Sequence, residues 1–203
     1  PFWNASVYND EFWKPAQSFG NLGDTAPWDR SDDVASSDTD QAERFRIDRQ
    51  FKFQRVIDPE TTGSLIAMSF NEFGQILLSQ EGGPLLLAVD TDKDEIVDSL
   101  HVYCDLVKNV QGILALNGQV YVTADGPDGN GLYCLSDEDR DGKLESSRLL
   151  MNFKGEMGEH GAHGIALGAD GLLYVVIGNH SAPLKAYAST SPHYGYYEGD
   201  LVG

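Results

Sequence analysis

One stretch of this sequence returns on itself about every fifty residues. The segments IAMSFNEFGQILLSQEGGPLLLAVDTDKDEIVDSLHVYC, ILALNGQVYVTADGPDGNGLYCLSDEDRDGKLESSRLLM and IALGADGLLYVVIGNHS align once their acidic clusters are brought into register. Ile66 and Ile113 are 47 positions apart, as are Asp90 and Asp137, and Ile113 and Ile165 are 52 apart. Each unit reads as an apolar strand, a turn at FG, NG or DG, a second strand, a third strand, an acidic turn and a fourth strand. Helices at such a period would carry 3.6-residue spacing, whereas these segments are short apolar runs cut by turn residues. The expected fold is all-β, a β-propeller of four-stranded antiparallel blades. Rings of this kind close with typically four to eight blades. Two full units and the start of a third predict about half of a ring, six-bladed in a full protein. The rest is expected from a longer polypeptide or from another copy, and a chain starting at Pro1 without a leader is expected to be processed or to be a piece of something longer.

Residues 1–44 break the pattern. They hold all three tryptophans, Trp3, Trp13 and Trp28, followed by the polar run SDDVASSDTDQAE, and are expected to be an extension and linker ahead of a partial propeller over 45–203. Alternation in RIDRQFKFQRV, residues 46–56, predicts a first strand. The 14 basic residues against 32 acidic ones give a formal charge of −18, which repels phosphate backbones and anionic lipid surfaces. Nucleic acid is thereby disfavoured as a partner, and no run is long and apolar enough to be a membrane-spanning helix. Cys104 and Cys134 each sit in a strand-like run, HVYC and GLYC, where a buried thiol is expected.

Two acidic turns stand out, Asp90, Asp92, Asp94 and Asp98 in DTDKDEIVD, and Asp137, Asp139, Asp141 and Glu145 in DEDRDGKLE. Carboxylates at alternate positions would repel one another along a strand, but a tight loop gathers them round a hard cation that takes six to eight oxygens, and calcium is the natural candidate. An EF-hand is excluded because its twelfth position is His101 in one loop and Arg148 in the other, not Glu. A solvated hairpin turn, which Asp favours through hydrogen bonds to its own backbone, is the competing reading.

The densest chemistry lies in GEMGEHGAHGIALGADGLLYVVIGNHS, residues 155–181, where His160, His163 and His180 stand near Glu159 and Asn179. A hairpin turning at Asp170 and Gly171 brings the outer ends of its two strands together, so His160 and His180 are expected to share one mouth. An imidazole there takes a proton from a hydroxyl near neutral pH, and Glu159 is placed to orient it. A zinc or haem ligand set and loop-capping histidines are the alternatives.

This segment resembles the corresponding one in soluble quinoprotein glucose/sorbosone dehydrogenases. Residues from Phe51 onward look like the propeller of the haem-binding dehydrogenase-like proteins of planctomycete-type bacteria, through SLIAMSFNEFGQILLSQEGGPL, the DxDxD turns, EHGAHGIALGADGLLYVVIGNH and SPHYGYYEGDLVG. The resemblance implies a periplasmic or secreted oxidoreductase acting on a sugar or polyol with pyrroloquinoline quinone (PQQ). His160 matches its catalytic base, with Glu159 beside it and His163, Asn179 and His180 around the cofactor. Asn179 stands where that family has Asp, and Ala169 where it has Pro. The resemblance also implies an electron-accepting cytochrome domain; its haem c motif, CxxCH, does not occur in these residues. A calcium-stabilised propeller that binds carbohydrate or a protein partner without redox chemistry is the alternative function.

Overall fold

The computed structural model describes residues 48, 50, 51, 54–155, 157, 158, 160–183 and 188–190. The chain divides into two units, residues 1–54 and 55–203. The expected extension over 1–44 lies outside the described residues. In the segment expected as a first strand, the described residues 48, 50, 51 and 54–56 are not in a strand. The Asp48 carboxylate accepts from the Gln50 N–H (3.0 Å) and the Asp48 carbonyl accepts from the Phe51 N–H (3.0 Å). Local turn bonds of this kind compete with a ladder for the same backbone groups, and here they outweigh the alternation.

Among the described residues of the second unit, one helical turn, α1 (Pro59–Thr62), precedes eleven strands. The first sheet is an antiparallel meander of β1 (Leu65–Phe70), β2 (Ile76–Gln80), β3 (Leu85–Val89) and β4 (Ser99–Cys104). The second repeats it with β5 (Lys108–Leu116), β6 (Gln119–Gly126), β7 (Gly129–Ser136) and β8 (Ser146–Lys154). The third unit begins in the same way with β9 (Ala162–Leu167) and β10 (Leu173–Ile177), paired antiparallel. The short strand β11 (Ala182–Pro183) then pairs with β8, adding a fifth strand to the second sheet.

Consecutive sheets pack through their first strands, since β5 contacts both β1 and β9. Leu77, Leu85 and Leu87 of the first sheet join Val110, Ile113, Val120, Val122, Tyr133 and Leu135 of the second in one buried cluster. Leu78, Leu86 and Ala88, one residue out of phase, pack on the opposite face of the first sheet with Ile57, Val97 and Leu100. This double burial explains why β3 reads LLLAV without alternation, because neither face of the strand meets water. Sheets two and three share Leu132, Phe153 and Ala162, with Ile165, Val175 and Ile177 against them.

The approach between sheets two and three is close at one point. A Cβ on Gly112 of β5 would fall 2.1 Å from the His163 carbonyl oxygen, so only glycine lets β9 lie there, and the Thr123 hydroxyl donates to that same oxygen (2.8 Å). Sheets one and two are tied through side chains. Glu72 accepts from the Gly118 N–H (3.0 Å), Asn109 accepts from the Gly82 N–H (2.6 Å), and the Asn109 amide donates to Asp125 (2.8 Å). Cys104 and Cys134 are buried and unpaired to each other, and burial pushes the Cys104 thiol above its ordinary pKa, keeping it protonated.

Candidate functional site

The two acidic turns occupy equivalent places, the first joining β3 to β4 and the second joining β7 to β8. Their internal bonding follows one plan. Asp90 accepts from the N–H groups of Lys93 (2.7 Å), Asp94 (3.3 Å) and Glu95 (2.9 Å), and Asp137 accepts from those of Arg140 (2.6 Å) and Gly142 (3.0 Å). Eight residues on, Asp98 accepts from the Thr91 N–H (2.6 Å), and Glu145 accepts from the Glu138 N–H (2.5 Å). The third and fifth positions reach forward by two residues. Asp92 takes the Asp94 N–H and Asp94 the Ile96 N–H, while Asp139 takes the Asp141 N–H and Asp141 the Lys143 N–H. Backbone reversal falls at matching positions too, with positive φ at Lys93 and Glu95 in one loop and at Arg140 and Gly142 in the other.

Asp137, Asp139, Asp141 and Glu145 each offer an oxygen within 4.8 Å of the others. In the first loop Asp90, Asp92 and Asp98 do so, and Asp94 is not part of that set. Oxygens on opposite sides of a calcium ion stand about 4.6–5.2 Å apart, given bonds of about 2.3–2.6 Å, so the separations within each set do not exceed the span of one such shell. A carboxylate oxygen has two lone pairs, so one holding a backbone N–H retains a site for a cation. Mutual repulsion is visible in the first loop. The Asp94 carboxylate, then Asp98, pushes the Asp92 pKa above its ordinary value, whereas the Thr91 hydroxyl and N–H hold Asp98 below it. Thr91 escapes a reading that looks only for carboxylates; its signal is a hydroxyl beside the first Asp of the run.

Supports behind the loops differ. Leu144, one residue before Glu145, is 2% exposed and plugs the cluster between sheets one and two, and its N–H donates to the Tyr103 carbonyl (2.8 Å). Its counterpart Val97 is only half-buried, packing on the outer cluster of sheet one with its N–H on the Val56 carbonyl (2.9 Å).

The histidines meet where the β9–β10 hairpin ends. The ladder continues past the strands through Gly178 N–H to the Gly161 carbonyl (2.6 Å) and His180 N–H to the His160 carbonyl (3.2 Å). Those two residues therefore face each other across the hairpin, with ring centroids 4.4 Å apart and planes tilted by 38°. His160 Nδ1 lies 2.9 Å from Asn179 Oδ1, so the amide oxygen accepts the Nδ1–H, and in the neutral ring Nε2 carries the lone pair. His160, Asn179 and His180 are all exposed. Gly178 is required here because a Cβ would fall 2.4 Å from the His160 carbonyl oxygen. His163 stands further along in β9, half-buried, its carbonyl held by Thr123. Glu159, the expected orienting carboxylate, lies outside the described residues. The structure thus brings together His160, Asn179 and His180 of the expected set.

A family model described as a domain of unknown function, DUF7133, matches residues 37–194, more than three quarters of the chain. No curated protein matches the sequence.

Proposed function

The chain belongs to the DUF7133 family, and from that premise we propose that it is an arc of a calcium-stabilised β-propeller that serves as a binding module. Each complete blade carries one calcium ion in its acidic hairpin, and the rim formed by His160, Asn179 and His180 meets a neutral, hydroxyl-rich ligand such as a carbohydrate. The observation that carries the reading is the repetition of one carboxylate cradle, with the same backbone bonds, at the same hairpin of two successive sheets. A solvated turn needs no such convergence of charge, whereas an ion of charge +2 offsets it. The ring itself is supported by the succession of β1, β5 and β9 as contacting first strands. At the rim, exposed imidazole and amide groups both donate and accept hydrogen bonds, which suits hydroxyl groups, and so acidic a chain disfavours anions.

Terbium luminescence and calorimetric titration of the full chain with calcium test this proposal. Two ions per chain and a higher melting temperature in calcium than in EDTA are expected. An unchanged melting temperature removes calcium from the account.

A second reading, a quinoprotein-type sugar or polyol dehydrogenase, is favoured by the His160–Asn179 bond, which fixes one tautomer and leaves Nε2 as a proton acceptor. PQQ, when bound, supplies the hydride acceptor; this chain's part is to hold the hydroxyl group and take its proton at His160. Dye reduction with PQQ, calcium and a panel of aldoses and polyols, lost in His160→Ala, is the expected result. No reduction on any substrate overturns that reading.

A further inference from the structure

The geometry points to a first-row divalent transition-metal ion bound at the rim through the two imidazoles of His160 and His180. This site is distinct in chemistry from the all-oxygen cradles, and the inference rests on neither of the preceding readings. Hard oxygen donors suit calcium, whereas neutral imidazole nitrogens select borderline ions such as zinc, nickel and copper. With metal–nitrogen bonds of about 2.0–2.1 Å, two imidazoles on one ion place their ring centroids about 4.5 Å apart at a right angle and about 5.2 Å apart at the tetrahedral angle. The observed 4.4 Å falls just below that range and is nearest to the right-angled arrangement, that of a tetragonal ion such as copper(II) or nickel(II).

Two further features prepare the pair. Asn179 holds Nδ1 of His160, the outer hydrogen bond that sets the tautomer and aims the other nitrogen of a metal-bound histidine. The backbone beneath is fixed by the His180 N–H to His160 carbonyl bond, and glycine at 178 and 155 admits a close approach to the carbonyl oxygens of His160 and His180 respectively. The two rings are exposed, so the ion keeps open positions for water or for the oxygen of a ligand. The surrounding acidity, −18 over the chain, concentrates cations near such a rim.

Copper(II) added to the full chain, with calcium in saturating excess to occupy the oxygen loops, tests the inference by electron paramagnetic resonance. One tight copper per chain is expected, with hyperfine splitting from two equatorial nitrogens. His160→Ala and His180→Ala should each leave one nitrogen, Asn179→Ala should weaken binding by about 10–100-fold, and His101→Ala should change nothing. Melting temperatures in calcium check that each variant is folded. Should a variant fail to fold, the nitrogen count of the unaltered protein and its imidazole ¹⁵N shifts with zinc decide the matter. Oxygen-only coordination, or a nitrogen count indifferent to both histidine substitutions, overturns the inference. A proton-abstracting His160 without metal would show the same indifference of the nitrogen count while the unaltered protein reduced dye and His160→Ala did not, which separates the two outcomes.

Discussion

The hairpin 90–98 and the hairpin 137–145 are the same device set on different ground. Both fold a run of alternating carboxylates back on itself by giving the first acid to backbone N–H groups three and five residues on. They part at three points. The reversal that glycine makes without steric penalty at Gly142 (φ 93) is made by Glu95 (φ 75) in the first loop. Four acids converge in the second loop and three in the first. The anchoring residue is fully buried between sheets in one case and half-buried on an outer face in the other. Equal bonding patterns therefore conceal unequal preorganisation, and the second loop is expected to hold an ion more tightly because less of its binding energy is spent on ordering.

The largest effect expected from that inequality is on calcium stabilisation. At calcium one hundred times the dissociation constant, an occupied site adds about 2.7 kcal/mol, or roughly 5–10 °C in melting temperature at 2–4 °C per kcal/mol. Asp137→Asn removes the central acceptor of the second loop and should forfeit most of one such increment, with Asp90→Asn forfeiting less at the same calcium concentration. Differential scanning fluorimetry of both variants across a calcium series measures this. Equal losses, or a greater loss for Asp90→Asn, would mean that the supports behind the loops are irrelevant to affinity.

What made these loops readable in advance was spacing. The 47-residue interval between Asp90 and Asp137 is preserved because it spans one whole four-stranded sheet, and the FG, NG and DG turns lie at the hairpin reversals of β1–β2, β5–β6 and β9–β10. The rim was readable for a related reason. A hairpin turning near Asp170 and Gly171 must bring residues ten or so positions to either side into register, so His160 and Asn179–His180 had to meet. Other features left no periodic trace. β11 is two residues long, one of them Pro183, and its pairing with β8 is a tertiary choice made by no local propensity. Alternation over 46–56 suggested a strand where the described residues form none, since Asp48 diverts the backbone into a turn. The inequality between Leu144 and Val97 was equally hidden, because both are apolar residues one position before the last acid, and only the packing of sheets separates them.

A smaller effect isolates backbone strain from packing. A Cβ at Gly142 meets nothing within 4 Å, so Gly142→Ala is penalised by its positive φ alone, about 1–2 kcal/mol. Glu95→Gly relieves the matching strain in the first loop but makes the unfolded chain more flexible, and should gain less than about 1 kcal/mol. Urea unfolding in EDTA reads both. If the loops differ through backbone alone, either change by itself brings their calcium affinities level and the two together reverse their order; if the buried Leu144 matters as well, the second loop keeps the tighter site after either single change.

The smallest effect is also the one most particular to the first loop, because there the charges act against one another. Asp92 has its folded pKa raised by Asp94 and Asp98, so its contribution to stability is full below the ordinary value of 3.8 and is lost as pH rises through the raised one. Asp98 has its folded pKa lowered by Thr91, so its contribution is present above 3.8 and is lost as pH falls through the lowered one. Without calcium at neutral pH, Asp92→Asn should therefore raise the melting temperature slightly and Asp98→Asn should lower it. With calcium bound, Asp92 becomes a ligand and its repulsion turns into attraction, so Asp92→Asn should now lower the melting temperature. That reversal of sign separates a cation cradle from an acidic turn. A turn held only by its own hydrogen bonds has no reason to prefer the Asp92 charge under one condition and reject it under the other.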